Sequence, residues 1–210
     1  MSRYWEETLA DRRRSPRDPA VDFVSHMARC HLDGEPLPDR DILDIMVTLT
    51  IGSLDTTKSQ LGWCFYHLAT HPEDRKRLLA EPELVPSAVE EFLRAYPIVP
   101  MARKLTRDVD FHGCPMRKGD MVMLTIPAAT RDSRQFPDAD QVIIDRFPNR
   151  HIAFGASEHR CMGSHLAREM LQTAIREWHQ LIPDYRLGSE ETPMAHGGQI
   201  SLLSLPLSWA

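Results

Sequence analysis

The chain has 210 residues, of which 42% are hydrophobic, with 25 Lys+Arg against 30 Asp+Glu. That composition, with a mean hydropathy of −0.37, fits a folded globular chain and excludes a wholly disordered one. A formal charge of −5 excludes a protein built mainly to hold nucleic acid.

No apolar run approaches the roughly 18 residues of a membrane span. Met1 to Glu7 lacks the apolar core of a signal peptide. Cys30, Cys64, Cys114 and Cys161 are too sparse for a disulfide scaffold. Together these predict a cytoplasmic protein with neither a membrane nor a nucleic acid as partner. No repeat is visible, and residues 1–210 are read as one domain.

In chain order, residues 4–14 predict a helix with a basic last turn, suited to the negative end of the helix dipole. Ser15, Pro16, Asp18 and Pro19 break it. A short helix is expected over 20–31 and a loop over 31–38, with turn residues at Asp33 and Gly34. From Asp39 to about His71 the apolar residues recur at helical spacing. Such a helix is roughly 50 Å long. Its middle, residues 51–59, is weak helix sequence, with Gly52, Ser53, Asp55, Thr56 and Thr57 close together.

Residues 72–80 and 86–96 predict two more helices, the first opening on Pro72 and the second stopped by Pro97. Residues 103–130 alternate in short segments and read as a hairpin or small sheet with turns at Gly113 and Gly119. Residues 131–150 are loop-rich, 163–181 form the last clear helix, and 200–209 read as strand. The fold class is mainly α with a minor β part. The basic run Arg75, Lys76, Arg77 reads as a solvated face, with an acidic partner surface as the other reading.

The informative stretch is HIAFGASEHRCMGSHLAREM, residues 151–170. Cys161 closes a glycine-containing loop just before a helix begins, where N–H groups and the positive helix end favour thiolate. Gly163 lets the backbone come close to something flat or bulky. On chemistry alone several readings stay open. Cys161 could be an ordinary buried cysteine, part of a zinc site with His159 and His165, a nucleophile with a histidine base, or a thiolate ligand to a metal or haem.

FGASEHRCMG, residues 154–163, resembles the haem-ligand loop of the cytochrome P450 family through Phe154, Gly155, His159, Cys161 and Gly163. Ser157 stands where the family usually has Gly, and a positive φ there would strain it. Glu91 and Arg94 resemble the family's Glu-x-x-Arg pair, one turn apart on a helix face, and Arg146 occupies the place of the Arg that completes it. Gly52, Asp55, Thr56 and Thr57 resemble the family's oxygen-activation segment, where a Thr hydroxyl bonding back to a carbonyl opens the helix. Details such as LDTT and EWHQLIPDY look most like soluble bacterial members of the camphor-hydroxylase type.

The resemblance covers essentially the whole chain and implies the C-terminal half of a P450 domain: long helix, Glu-x-x-Arg helix, small sheet, cysteine loop and following helix. It implies a haem-thiolate monooxygenase holding haem b. Cys161 would ligate the iron, with Phe154, Gly155 and Gly163 around it and His159 and Arg103 on the propionates. Asp55 and Thr56 would relay protons during oxygen activation. Thr48, Ile51, Gly52 and Val99 would touch a small apolar substrate. Partners would be O2 and an electron-donating ferredoxin or flavoprotein. The alternative is a non-catalytic remnant that no longer holds haem productively.

Overall fold

The computed structural model describes residues 1–189, 195–196 and 199–209. It divides into two compact units, Met1–Asp55 and Thr56–Ala210.

In the first unit, α1 (Ser2–Arg14) and α2 (Phe23–Met27) pack with the first part of α3, the long helix Asp39–Thr70. Leu9, Val24, Ile42 and Met46 form its small core. The basic last turn of α1 has specific partners: Arg12 binds Asp22, and Arg13 binds Asp39 and the Ala28 carbonyl. Helix α2 is shorter than the expected 20–31. It starts where Asp22 caps it by accepting the Ser25 N–H at 2.8 Å. After it, β1 (His31–Leu32) and β2 (Glu35–Pro36) pair antiparallel, in a stretch expected to be loop. Asp33 and Gly34 take positive φ of 53° and 88°, the turn that lets so short a hairpin close.

Helix α3 is continuous through the weak patch at 51–59, so the opening expected there is not formed. Threonine hydroxyls do bond back along the helix, Thr48 to the Asp44 carbonyl and Thr50 to the Met46 carbonyl, each at 2.7 Å. They satisfy themselves without breaking the backbone ladder.

In the second unit, the rest of α3 packs with α4 (Pro72–Ala80), α5 (Val85–Ala95) and the later helix Ser164–Leu181. Cys64, Leu68, Leu78, Val89, Phe92, Leu171 and Ile175 make the core. Each large aliphatic or aromatic side chain buried there contributes about 1.5–3 kcal/mol. The β part is a set of two-stranded ribbons. Strand β3 (Met101–Lys104) pairs with β6 (Met121–Leu124), and between them β4 (Val109–Phe111) pairs with β5 (Cys114–Met116). The expected strand pattern stops early, because Pro127 has no N–H for a ladder. Residues Ile126–Ala129 form a short helix, α6, instead.

No regular element but a single 3-10 turn fills the loop before α7 (Ser164–Leu181). Near the end, β7 (Arg186–Leu187) pairs with β10 (Leu207–Ser208), and β8 (Ala195–His196) pairs with β9 (Ser201–Leu202). The strand expected over 200–209 is therefore two short strands, split at Pro206. No helix among the described residues is long and apolar enough to cross a membrane.

Arg75 corrects the reading of its basic run as a solvated face. It is buried, donates to the Leu68 and Tyr185 carbonyls, pairs with Asp184 and lies over the Tyr185 ring. Beside it, His179 is buried on α7, with Nε2 3.1 Å from the Tyr185 hydroxyl. Burial, and then the Arg75 charge, push His179 down to about 4.

A histidine with a depressed folded pKa takes up its proton mainly in the unfolded chain. Stability is therefore expected to fall as pH drops from about 6.5 towards 4, before carboxylates such as Glu90 titrate. Urea midpoints measured across that range check it. His179→Gln should flatten the slope, and a wild-type midpoint constant from pH 7 to 4.5 would contradict the assignment.

Candidate functional site

The Cys161 loop is built from backbone hydrogen bonds. The Gly155 N–H donates to the Ile152 carbonyl at 2.8 Å, the Arg160 N–H to the Ser157 carbonyl at 3.0 Å, and the Cys161 N–H to the Phe154 carbonyl at 2.8 Å. Phe154 and Cys161 are thus tied across the loop, and α7 starts three residues after the cysteine. Cys161 is exposed, which overturns the reading of an ordinary buried cysteine. Among the described residues no three His, Cys, Asp or Glu side chains are placed to hold a metal ion, so His159, Cys161 and His165 do not make a zinc site.

The two loop glycines differ. Gly155 takes φ +71°, and a Cβ there would meet Met101 at 3.4 Å. Gly163 has an ordinary φ of −80°, and a Cβ there would meet nothing within 4 Å, so the loop opens on free space at that point. Met162, Leu166 and Met170 are exposed. Leu166 and Met170, four apart on α7, share one apolar stripe, and Met162 lies in the turn just before the helix. An exposed thiol, an open backbone position and an apolar stripe fit a flat, largely apolar cofactor.

Ser157 is the departure from the family pattern, and its φ is +61°. A side chain in this left-handed region costs roughly 1–2 kcal/mol. Ser157→Gly removes that cost but adds unfolded-state freedom worth about 0.4–1 kcal/mol. The net expectation is a gain of up to about 1.5 kcal/mol, read as a higher midpoint in urea unfolding. A lower midpoint would show that the serine side chain contributes more than the strain removes.

Strand β3 lies against this loop through Met101, whose Cε is the atom nearest a Cβ built on Gly155. Alternation puts Arg103 on the same face of the strand as Met101. Arg103 is exposed, donates to the Ala102 carbonyl, and has no ion-pair partner among the described residues. His159 is likewise exposed, in the short 3-10 turn Ser157–His159. Both remain available to a carboxylate.

Glu91 and Arg94 are both 0% exposed and form a bidentate pair, with Nε and Nη2 each 2.8 Å from a carboxylate oxygen. A bare ion pair so deep costs more in desolvation than it returns. Here the remaining capacity is filled. Arg94 donates to the Thr130, Ala139 and Gln141 carbonyls at 2.7–2.9 Å. Glu91 also accepts from Arg146 Nε at 3.1 Å, from the Ile143 N–H at 2.8 Å and from Asn149 Nδ2 at 3.0 Å. Arg146 in turn donates to the Pro137 carbonyl at 2.6 Å. The three residues thus hold the loop-rich stretch 130–149 against α5.

The helix and pocket candidates are placed as follows. Asp55 is exposed and Thr56 half-buried, consecutive on α3. Thr48, Ile51 and Gly52 lie one to two turns earlier, with Ile51 59% exposed and a Cβ at Gly52 meeting nothing within 4 Å. Val99 is exposed beside buried Ile98, whose carbonyl accepts the Ile200 N–H at 2.8 Å. Two surface clefts of about 230 and 270 Å³ lie elsewhere, the first along Leu78 and Arg176 and the second along Arg75 and Trp209; no candidate residue lines either.

Three contributors escaped the sequence reading. Asn149 completes the Glu91 shell. Glu90, beside Glu91, accepts from His151 Nε2 and Arg168 Nη2, each at 2.9 Å. His67 is buried between the Tyr96 hydroxyl (2.9 Å) and Asp74 (2.7 Å). Only the doubled acid at 90–91 offered a signal, since each partner lies on a distant segment.

The fold is mainly helical and carries an exposed cysteine loop and a buried Glu-x-x-Arg network closed by a second arginine. The family model Cytochrome P450 matches residues 2–181, and the chain belongs to that family.

It is 38% identical over 207 residues to the mycinamicin IV hydroxylase/epoxidase of Micromonospora griseorubida, covering 96% of this chain and 52% of that protein. It is also 38% identical to the nocardicin C N-oxygenase of Nocardia uniformis subsp. tsuyamanensis, covering 96% and 51%. A solved structure of the mixed-function P450 MycG superposes with a TM-score of 0.91 at 36% identity, covering 99% of this chain and 54% of that one. The chain therefore spans about half the length of the relatives it matches. The expected fold class, mainly α with a minor β part in the P450 arrangement, holds.

Proposed function

We propose that the chain is the cysteine-bearing part of a P450 monooxygenase, which inserts one oxygen atom of O2 into a C–H bond of a small apolar substrate. The observation that carries this reading is Cys161: exposed, tied to Phe154 through its own N–H, and opening on free space at Gly163.

Cys161 would hold the iron of haem b, and His159 and Arg103 would donate to its propionates. When bound, the haem supplies oxygen activation aided by thiolate electron donation. The chain's own residues orient and insulate. Phe154 would lie beside the haem near the sulfur, its carbonyl tied to the Cys161 N–H. The Glu91, Arg94 and Arg146 network holds the segment leading to the loop in one geometry. Asp55 and Thr56 would hold and pass protons as a carboxylate and hydroxyl pair, in the manner of general acids. Thr48, Ile51, Gly52 and Val99 would contact substrate.

Electrons would arrive singly from a ferredoxin or flavoprotein, in the cytoplasm. Residues 1–210 are read as part of one P450 domain, with α3 running through both units.

The test is a reduced, carbon-monoxide difference spectrum of the purified chain after haem reconstitution. A band at the red-shifted position of thiolate ligation is the expected result. No haem uptake, or only a histidine-type band, would assign the chemistry to a longer protein and leave this chain as a remnant.

A further inference from the structure

Glu90, His151 and Arg168 form a cluster against Phe154, and the proposed chemistry uses none of these three. Arg168 lies on α7, and its guanidinium carbon sits 4.7 Å above the centre of the Phe154 ring. Two of its nitrogens donate to the two oxygens of Glu90, a fork that fixes the plane as well as the charge. Its third nitrogen donates to the Ser164 carbonyl at 3.3 Å.

Glu90 is itself held. The His151 Nδ1 accepts the Ala153 N–H at 3.2 Å, which leaves Nε2 as the protonated nitrogen that donates to Glu90. His151 is 2% exposed at its side chain, so the clamp is rigid on one side. Burial opposes the Glu90 charge, yet the hydrogen bonds from His151 and Arg168 hold its carboxyl at about 2. Arg168 is raised above its ordinary range, first by the Glu90 hydrogen bonds and, among smaller causes, by the Cys161 charge.

The ring under Arg168 belongs to the residue whose carbonyl takes the Cys161 N–H at 2.8 Å. The clamp therefore connects to the cysteine loop at its closing bond.

We propose that Arg168, pinned by Glu90 and His151 against the Phe154 ring, is a positioning residue that holds a fixed positive potential at the Cys161 sulfur. Glu90 holds the edge of the guanidinium through the fork, while the Phe154 ring lies against its face. Its consequence at iron rests on the haem-thiolate reading. A cation beside a ligating thiolate draws charge from it and favours the reduced metal. The potential itself is a property of this chain with or without haem.

The test uses the chain as it is. Cys161 is alkylated with anionic iodoacetate and with neutral iodoacetamide, and peptides are quantified by mass spectrometry. The ratio of the two rates reads local potential, because both reagents share one thiolate population. Cys114, exposed on β5, is the internal reference.

Arg168→Gln should lower the ratio at Cys161 about threefold while leaving that at Cys114 unchanged, an effect of screened Coulomb size. Glu90→Gln should raise the Cys161 ratio about twofold by removing the neutralising charge. Arg168→Lys keeps the charge and loses the stack, so its ratio should fall between wild type and Arg168→Gln.

An unchanged Cys161 ratio in Arg168→Gln overturns the proposal. Should that variant unfold, shown by Cys161 and Cys114 reaching one common ratio, Glu90→Gln decides: a rise supports the proposal and no rise overturns it. A chain that takes up no haem yet shows these ratios leaves Arg168 with its role and removes only the haem reading. Where haem binds, Arg168→Gln should shift the iron reduction potential to more negative values.

Discussion

Glu91→Ala is expected to unfold the second unit of the chain. The carboxylate receives both Arg94 and Arg146, together with the Ile143 N–H and Asn149, at no exposure to solvent. Removing it leaves two guanidiniums without their shared counter-charge, and Arg94 is 0% exposed. Breaking a buried pair by deleting one partner costs about 3–5 kcal/mol. Total stabilities run about 5–15 kcal/mol, so a large share of the margin goes.

Limited proteolysis should then cut within residues 130–149, which the network holds, before it cuts α7. Circular dichroism should show helix loss at temperatures where wild type is folded. Glu91→Gln should be milder, because the amide still accepts hydrogen bonds although it brings no charge. Wild-type protease resistance in Glu91→Ala would mean that the network is dispensable. Arg94→Leu and Arg146→Leu should differ from each other. Arg94 is wholly buried and satisfies three carbonyls, whereas two of the Arg146 bonds reach exposed carbonyl partners.

Cys161→Ala is expected to remove the thiolate-type band in the reduced, carbon-monoxide spectrum completely, with little change in fold. The side chain is exposed, so no cavity opens and no buried partner is lost. The loop closure belongs to the backbone: the Cys161 N–H to the Phe154 carbonyl survives any side-chain change except to Pro. Thermal melting should therefore move by less than about 1 kcal/mol equivalent. Loss of the band with an unchanged melt separates a ligand from a structural cysteine. A band that persists in Cys161→Ala would mean another residue ligates, and the haem-thiolate reading of this loop would fall. Cys30→Ala and Cys114→Ala serve as controls that should keep the band.

Much of this was legible from local pattern. The helices of the second unit start and stop where Pro72, Pro97 and the apolar spacing put them, within a residue or two. Strain at Ser157 was expected from the resemblance, which places Gly there, and the serine takes φ +61°. Glu91 and Arg94 were readable as a pair, because a helix brings residues three apart together whatever surrounds it.

The misses share a cause. Helix α2 came out short because the Asp33–Gly34 turn pairs β1 with β2, and pairing across a turn outweighs the weak helix preference before it. The weak middle of α3 lies within an unbroken helix, with the Ser53 hydroxyl bonded to the Thr50 carbonyl one turn back. Arg75 looked solvated in a basic run, yet Tyr185, 110 positions on, supplies a carbonyl and a ring for it.

The sequence by itself determined the family, the helical class, the cysteine at the end of its loop and the acid with its two arginines. Those are set by residue type at short spacing, where covalent geometry and the helix repeat leave little freedom. Only the tertiary structure decided that Arg94 is buried with every donor group satisfied, that Glu90 reaches Arg168, and that Arg168 lies on the ring of Phe154, whose carbonyl takes the Cys161 N–H. These contacts join residues many positions apart, and their strength comes from exclusion of water. Burial is a property of the packed chain, and no single stretch of sequence carries it.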